Sequence, residues 1–256
     1  MTAPTSPQAA FLIIGNEILS GRTQDKNVNT LALKLGSVGV RLAEVRIVPD
    51  IEERIVGSVR ELSKRFDYVF SSGGIGPTHD DITADSMAKA FDVGIDYHDE
   101  AMRRLAKHYE NEVFTPARKR MARIPLGGRL IDNPVSTAPG FWIENVAVCA
   151  GVPRIFEAMI DGLLAQLTPG AMVHSRALSV NVGESFVADL LRGVATRFPD
   201  VDMGSYPFFR DGGFGASLVL RATDRDLLDQ AYDQLRSQLV LQNVEVVDGE
   251  AKSATG

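Results

Sequence analysis

The chain has 256 residues, 45% of them hydrophobic and 23% charged, with 33 acidic side chains against 27 Lys and Arg for a net charge of −6. That composition fills a core and excludes a disordered or collagen-like chain, and the length suits one large domain or two modest ones. A single cysteine, Cys149, excludes a disulfide framework and a cysteine-based zinc cluster, and no run of Lys or Arg marks a nucleic-acid footprint.

The opening MTAPTSPQAA has neither the basic region nor the apolar stretch of a signal peptide, so residues 1–9 read as a frayed tail. No apolar run approaches the roughly 20 residues that span a bilayer. The expected location is the reducing cytoplasm, with no membrane and no nucleic-acid partner.

Ala10–Ile14 is a short continuous apolar run ended by Gly15, the pattern of a strand covered by helices on both faces. Asn27–Val38 carries Val28, Leu31, Leu35 and Val38 at helical spacing. Arg41–Val48 alternates as a strand, and Pro49–Asp50 opens a helix with Ile51, Ile55, Val59 and Leu62 on one face. Asp67–Ser72 is a third strand leading into GGIGPTHDDIT, and Thr83–Phe91 and Asp99–Asn111 read as helices. Alternating strands and helices predict a doubly wound α/β domain with a mostly parallel sheet. Pro125–Gly140 is too rich in Pro and Gly for a helix. Phe141–Ile143 and Val146–Ala150 read as a hairpin at the sheet edge, and Val152–Pro153 opens a helix to about Leu167. Thr168–Gly170 closes this domain, residues 10–170.

Residues 172–247 form a second, smaller α+β unit. Its strands are Ala177–Val182, Asp202–Phe208, Ala216–Ala222 and Val244–Val247; its helices are Glu184–Phe198 and Asp224–Leu239. That β-α-β-β-α-β order is the split pattern of ferredoxin-like modules, read here as a packing or dimerisation unit. Residues 248–256 are a polar tail.

The most informative segment is Gly73–Thr83. Gly73, Gly74 and Gly76 stand between a strand and a helix, where backbone N–H groups approach a phosphate closely. Pro77, Thr78, Asp80 and Asp81 complete the loop. Two adjacent carboxylates would repel a bare phosphate, and a divalent cation shared between carboxylates and phosphate oxygens resolves that conflict. His79 is either a further ligand or a solvated loop histidine. In a parallel sheet three other segments share this rim. Gly15, Asn16 and Glu17 follow the first strand, then Ser20, Gly21 and Arg22, then Asp25, Lys26 and Asn27; Asp50 follows the second strand. Each also has an ordinary role as a cap or a solvated charge. NPVSTAPG offers the hydroxyls of Ser136 and Thr137, and Gly151 lies at another strand-to-helix junction. Cys149 reads as a packed core thiol rather than a nucleophile.

GNEILSGRTQDKN, VPD, SSGGIGPTHDDIT, NPVSTAPGF and AGVPR resemble, in order and spacing, the N-terminal part of the CinA (competence/damage-inducible protein A) family. That part is a MoaB/Mog-like, molybdopterin-binding-type domain, which also stands at the front of eukaryotic FAD synthases. The resemblance covers about Phe11 to Leu167 and implies a three-layer MogA-like fold, a homo-oligomer (dimer or trimer) and a nucleotide or pterin-phosphate ligand. The second unit is similar to the small domain that follows in CinA proteins. By position, Asp50 and Asp81 match the two acids essential in Mog-type molybdopterin adenylylation, and Gly73, Gly74 and Gly76 match the phosphate-binding turn. CinA relatives resemble metal-dependent pyrophosphatases acting on ADP-ribose, and the related FAD synthase domain hydrolyses FAD. The resemblance then implies Glu17, Asp80 and Asp81 as carboxylates for Mg, Mn or Co, Asp50 or Asp81 as the group orienting water, and Arg22 or Lys26 offsetting charge. A C-terminal amidohydrolase domain is not expected in a chain ending at Gly256. Two readings stay open: a dinucleotide pyrophosphatase, and a molybdopterin or nucleotide binder without turnover.

Overall fold

The computed structural model describes residues 6–210 and 213–249. Residues 1–5 and 250–256 of the expected tails, and Asp211 and Gly212 of one expected turn, lie outside the described residues. The chain divides into two compact units, Met1–Ala171 and Met172–Gly256.

The first unit is built on β1 (Gln8–Ile14), which starts two residues before the apolar run and is buried from Ala9 onward. The chain passes through α1 (Asn16–Leu19) and α2 (Asn27–Gly36) to β2 (Arg41–Val48), then through α3 (Glu52–Arg65) to β3 (Tyr68–Ser72). Both strands pair parallel to β1, one on each side. Next come α4 (Thr83–Ala90), β4 (Ile95–Tyr97), α5 (Asp99–His108), α6 (Pro116–Arg120), β5 (Arg123–Pro125) and β6 (Arg129–Ile131). β7 (Gly140–Ile143), β8 (Val146–Cys149) and α7 (Pro153–Leu164) end the unit. Sheet order is β2-β1-β3-β8-β7-β6, parallel from β2 to β8, with β7 antiparallel to both of its neighbours.

The continuous apolar run of β1 serves two layers at once. Ala9, Phe11 and Ile13 pack with Leu31 and Leu35 of α2 and Phe156 and Met159 of α7. Ala10, Leu12 and Ile14 face Ile55, Val59 and Leu62 of α3 and Met87 of α4. The result is a three-layer, doubly wound α/β domain. Fully burying each large side chain here contributes roughly 1.5–3 kcal/mol, so apolar residues on both faces select the centre of the sheet.

That same rule corrects the expected edge hairpin. β7 and β8 do form a hairpin, but all four residues of each are buried, and β8 lies inside the sheet between β3 and β7. The edge on that side is β6, from a segment read as loop; three residues among Pro and Gly give too short a pattern to see. The β4–β5 ribbon and the short helices α1 and α6 went unread for the same reason.

Cys149 is 0% exposed, and burial pushes its thiol up to about 12. A thiol that stays protonated inside the sheet is inert. Iodoacetamide at pH 8 is therefore expected to leave the native protein unlabelled and to alkylate one site after denaturation, read by intact mass. Labelling of the native protein at the denatured rate contradicts this packing.

The second unit comprises β9 (His174–Val180), α8 (Glu184–Arg197), β10 (Asp202–Arg210), β11 (Gly213–Ala222), α9 (Arg225–Leu241) and β12 (Val246–Asp248). Its antiparallel sheet runs β10-β11-β9-β12. Leu178, Leu218 and Leu220 pack against Val187 of α8 and Leu228 and Leu235 of α9. Among the described residues no helix is long and apolar enough to cross a membrane.

Candidate functional site

Strand order reverses between β1 and β3, because the chain leaves β1 toward β2 on one side and leaves β3 toward β8 on the other, and the carboxyl ends of these strands flank a crevice. The glycine loop after β3 begins as a continuation of the sheet, with Gly73 N donating to Cys149 O at 3.3 Å. It then turns sharply: Gly73 and Gly74 have φ of 100° and 65°. Thr83, fully buried in the first turn of α4, holds the turn in place. Its hydroxyl donates to Gly73 O at 2.9 Å and its N–H to Gly74 O at 3.0 Å. With both carbonyls engaged there, the N–H groups on the far side of those planar peptides, Gly74 and Ile75, face away from Thr83. A row of outward backbone donors at a strand-to-helix turn is suited to phosphate oxygens.

These residues line a cavity of about 460 Å³ at the ends of β1, β3 and β8. Its walls are largely apolar, from Ile75, Met121, Ala138, Val152, Pro153 and Ile155, which suits a flat ring system. Two carboxylates, Glu17 and Asp81, face it. Glu17 folds back over Gly15, where an added Cβ would stand 2.6 Å from its carboxylate. Asp81 Oδ2 accepts both the N–H and the hydroxyl of Thr78, and it closes on Gly76, whose missing Cβ leaves the room.

Of the expected site residues, Glu17, Gly73, Gly74, Gly76, Asp81, Ser136 and Gly151 come together in this cavity. Asp25, Lys26 and Asn27 line a smaller one of about 50 Å³ that shares Glu17, Thr23, Gly73, Gly151 and Pro153 with it. Asn27 is 4% exposed and donates from Nδ2 to Gly151 O, tying α2 to the end of β8. Asp25 caps α2 by accepting Val28 N. The others lie outside both cavities. Asp50 accepts Asn16 N at 2.9 Å and so anchors α1 to the end of β2. Ser20, Gly21 and Arg22 form the exposed turn after α1, Pro77 and Thr78 form the outer side of the glycine loop, and Thr137 turns to His108.

Asn133 was missing from the expected set. It is buried, donates to Ser136 Oγ and Ala138 O, and accepts Val135 N and Ser136 N, so it shapes the loop that presents Ser136 to the cavity. An Asn before Pro is the signal that marks it, since its side chain substitutes for backbone partners in a turn. Met121 and Arg120 of the neighbouring small cavity carried no signal.

Among the described residues no three His, Cys, Asp or Glu side chains gather closely enough to hold a metal ion. Two of the three expected metal carboxylates, Glu17 and Asp81, share the cavity, and Asp80 does not line it.

Residues 10–169 match the family of probable molybdopterin-binding domains, and residues 172–248 match the middle domain of FAD synthase. A CinA-like protein of Citrifermentans bemidjiense is 34% identical over 245 residues, which are 91% of this chain and 58% of that protein. A probable FAD synthase of Caenorhabditis elegans is 31% identical over 265 residues, 92% of this chain and 51% of that one. The chain thus spans somewhat more than half the length of these two relatives. A solved structure of the protein CinA from Thermoplasma acidophilum, described as of unknown function, aligns with a TM-score of 0.60 at 33% identity, over 63% of this chain and 98% of that one. The chain therefore belongs to the family of probable molybdopterin-binding domains, followed here by a domain of the FAD synthase middle type.

Proposed function

We propose that the first unit binds a nucleotide or pterin through its phosphates and hydrolyses the pyrophosphate bond of ADP-ribose-like or FAD-like dinucleotides. One observation carries this reading: the outward N–H groups of Gly74 and Ile75 and the carboxylates of Glu17 and Asp81 meet in one largely apolar cavity. The apolar walls take a ring, the loop takes phosphate oxygens, and the carboxylates are available to hold and orient a water beside the phosphorus. A pure phosphate binder gains nothing from two added negative charges, so their presence favours turnover over simple retention.

A divalent metal (Mg, Mn or Co) belongs to this proposal, with Glu17 and Asp81 as its protein ligands and Asp80 no longer in the set. When bound it would neutralise phosphate charge and lower the pKa of a coordinated water. The second reading, a molybdopterin or nucleotide binder without hydrolysis, is supported by the lack of a three-ligand metal cluster among the described residues. We place the protein in the cytoplasm as a homodimer or homotrimer; the edge strand β2, with Val45 and Ile47 about 40% exposed, supports association.

Incubating the protein with ADP-ribose, FAD, NADH and ATP, with and without each metal, tests the reading. Metal-dependent release of AMP from a dinucleotide is the expected result. Thermal stabilisation by a nucleotide or pterin without any cleavage would move the protein to the binding class. Sedimentation of the same sample reads the oligomeric state.

A further inference from the structure

Helix α6 is a cluster of charge, PARKR, that the sequence does not connect with the glycine loop. It starts at Thr115, whose side chain accepts Arg118 N. Its three cations then part company. Arg118 stacks on Tyr109 at 4.0 Å, donates to Val113 O and pairs with Glu112. Lys119 stands 5.5 Å over the Phe114 ring. Arg120 points the other way, toward the glycine loop.

Arg120 lines a small cavity with Gly74, Ile75, Gly76 and Asp81, four residues shared with the large one. Its only side-chain hydrogen bond among the described residues is a long one, 3.5 Å from Nη2 to the backbone oxygen of Asp81. Arg123, in the same cavity, is held by Asp85 through two bonds of 2.9 and 2.7 Å. Arg120 has no carboxylate partner among the described residues. Among the described residues no Lys or Arg lines the large cavity itself. The expected charge-offsetting residues are placed less well: Arg22 lies outside both cavities, and Lys26 lines only the 50 Å³ one.

We infer that Arg120 is the phosphate-binding cation of this site, gripping phosphate oxygens held on the N–H groups of the Gly74–Gly76 turn. A partly exposed arginine without a counter-ion among the described residues, beside backbone donors and an acid, is completed by an anion with several oxygens. Its planar fork suits a phosphoryl group better than a point charge does. It also offsets the repulsion between Asp81 and an incoming phosphate. The ligand class is a phosphate ester or pyrophosphate, whatever ring it carries. This inference rests on the proposed phosphate-binding reading of the cavity and not on hydrolysis.

Calorimetric titration of inorganic pyrophosphate into wild type, Arg120→Ala, Arg120→Lys and Arg118→Ala, with adenosine as the phosphate-free probe, tests it. Arg120→Ala is expected to weaken pyrophosphate binding about 10- to 100-fold, the range of a lost charged hydrogen bond. Adenosine binding and the melting temperature should not move, because the guanidinium makes one long hydrogen bond and no ion pair with the described residues. Arg120→Lys should recover part of the loss, and Arg118→Ala, which removes the same charge aimed elsewhere, should stay within about 2-fold of wild type. Unchanged pyrophosphate binding in Arg120→Ala overturns the inference, even where wild type cleaves dinucleotides. Equal losses in Arg118→Ala and Arg120→Ala also overturn it, since net charge alone would then explain both. Wild type that binds no pyrophosphate removes this inference and the phosphate reading together. If wild type binds pyrophosphate through Arg120 but cleaves nothing, only the hydrolytic part of the proposal falls.

Discussion

Asp81→Asn is expected to lower turnover of a pyrophosphate substrate by about 10²- to 10⁴-fold, the range for a lost acid–base or orienting group. KM should stay level or fall. The opposite directions follow from the geometry. Oδ2 of Asp81 is occupied by two donors from Thr78, which leaves Oδ1 as the oxygen available to a water or a metal-bound group. Asparagine keeps an oxygen for Thr78, so the loop stays closed over Gly76. It loses the negative charge that activates a nucleophile and, in the ground state, opposes the phosphate. The expected signature is therefore a collapse of kcat without loss of affinity, in a protein whose melting temperature stays near wild type. Asp81→Ala is a coarser probe because it also strands the Thr78 N–H, at about 1 kcal/mol of local stability. Wild-type kcat in Asp81→Asn would remove Asp81 from the chemistry and leave Glu17 as the carboxylate to test.

Asp81 was legible before the structure because its signal is local. A strand, two glycines and an acid at the mouth of a helix all lie within about a dozen consecutive residues, and chain geometry alone brings them together. The central strand was legible for a similar reason: the five apolar residues Ala10–Ile14 in a row need cover on both faces, and β1 has it. What spacing leaves open is direction. Asp80 and Asp81 are neighbours with the same chemistry, yet one faces the cavity and the other does not. Asp50 lies on the expected rim, where one of its carboxylate oxygens accepts Asn16 N, and it lines neither cavity. Neither distinction is contained in spacing along the chain. Arg120 and Met121 were harder still. They reach the loop because α6 packs beside it, a contact 39 residues apart between Arg120 and Asp81, and five residues show no periodicity. Placement on the rim was readable; which side chains turn inward was decided by packing between segments distant in sequence.

Gly73→Ala is expected to cost the first unit about 3 kcal/mol or more, a drop of about 10 °C in the melting transition of that unit. Two independent penalties add at this residue. Its φ of 100° lies where a Cβ is strained by its own backbone. The added Cβ would also stand 2.1 Å from the carbonyl oxygen of Ile14. That oxygen belongs to the end of β1, a strand buried from Ala9 onward and paired on both sides, so it cannot withdraw without disturbing the centre of the sheet. Gly21→Ala separates the two penalties. Gly21 has φ of 72° but nothing within 4 Å of an added Cβ, so it bears only the conformational cost, about 1 kcal/mol. The contrast between the two variants is the test, read by differential scanning calorimetry. A Gly73→Ala protein melting within about 2 °C of Gly21→Ala would mean that β1 and the glycine loop are not pressed together as described. Where the contrast holds, surviving Gly73→Ala protein should also bind phosphate compounds weakly, because the loop must swing off Ile14 and carry the Gly74 and Ile75 donors with it. Stability and ligand binding then fail through one contact, since the turn that aims the donors is the same turn that closes the sheet.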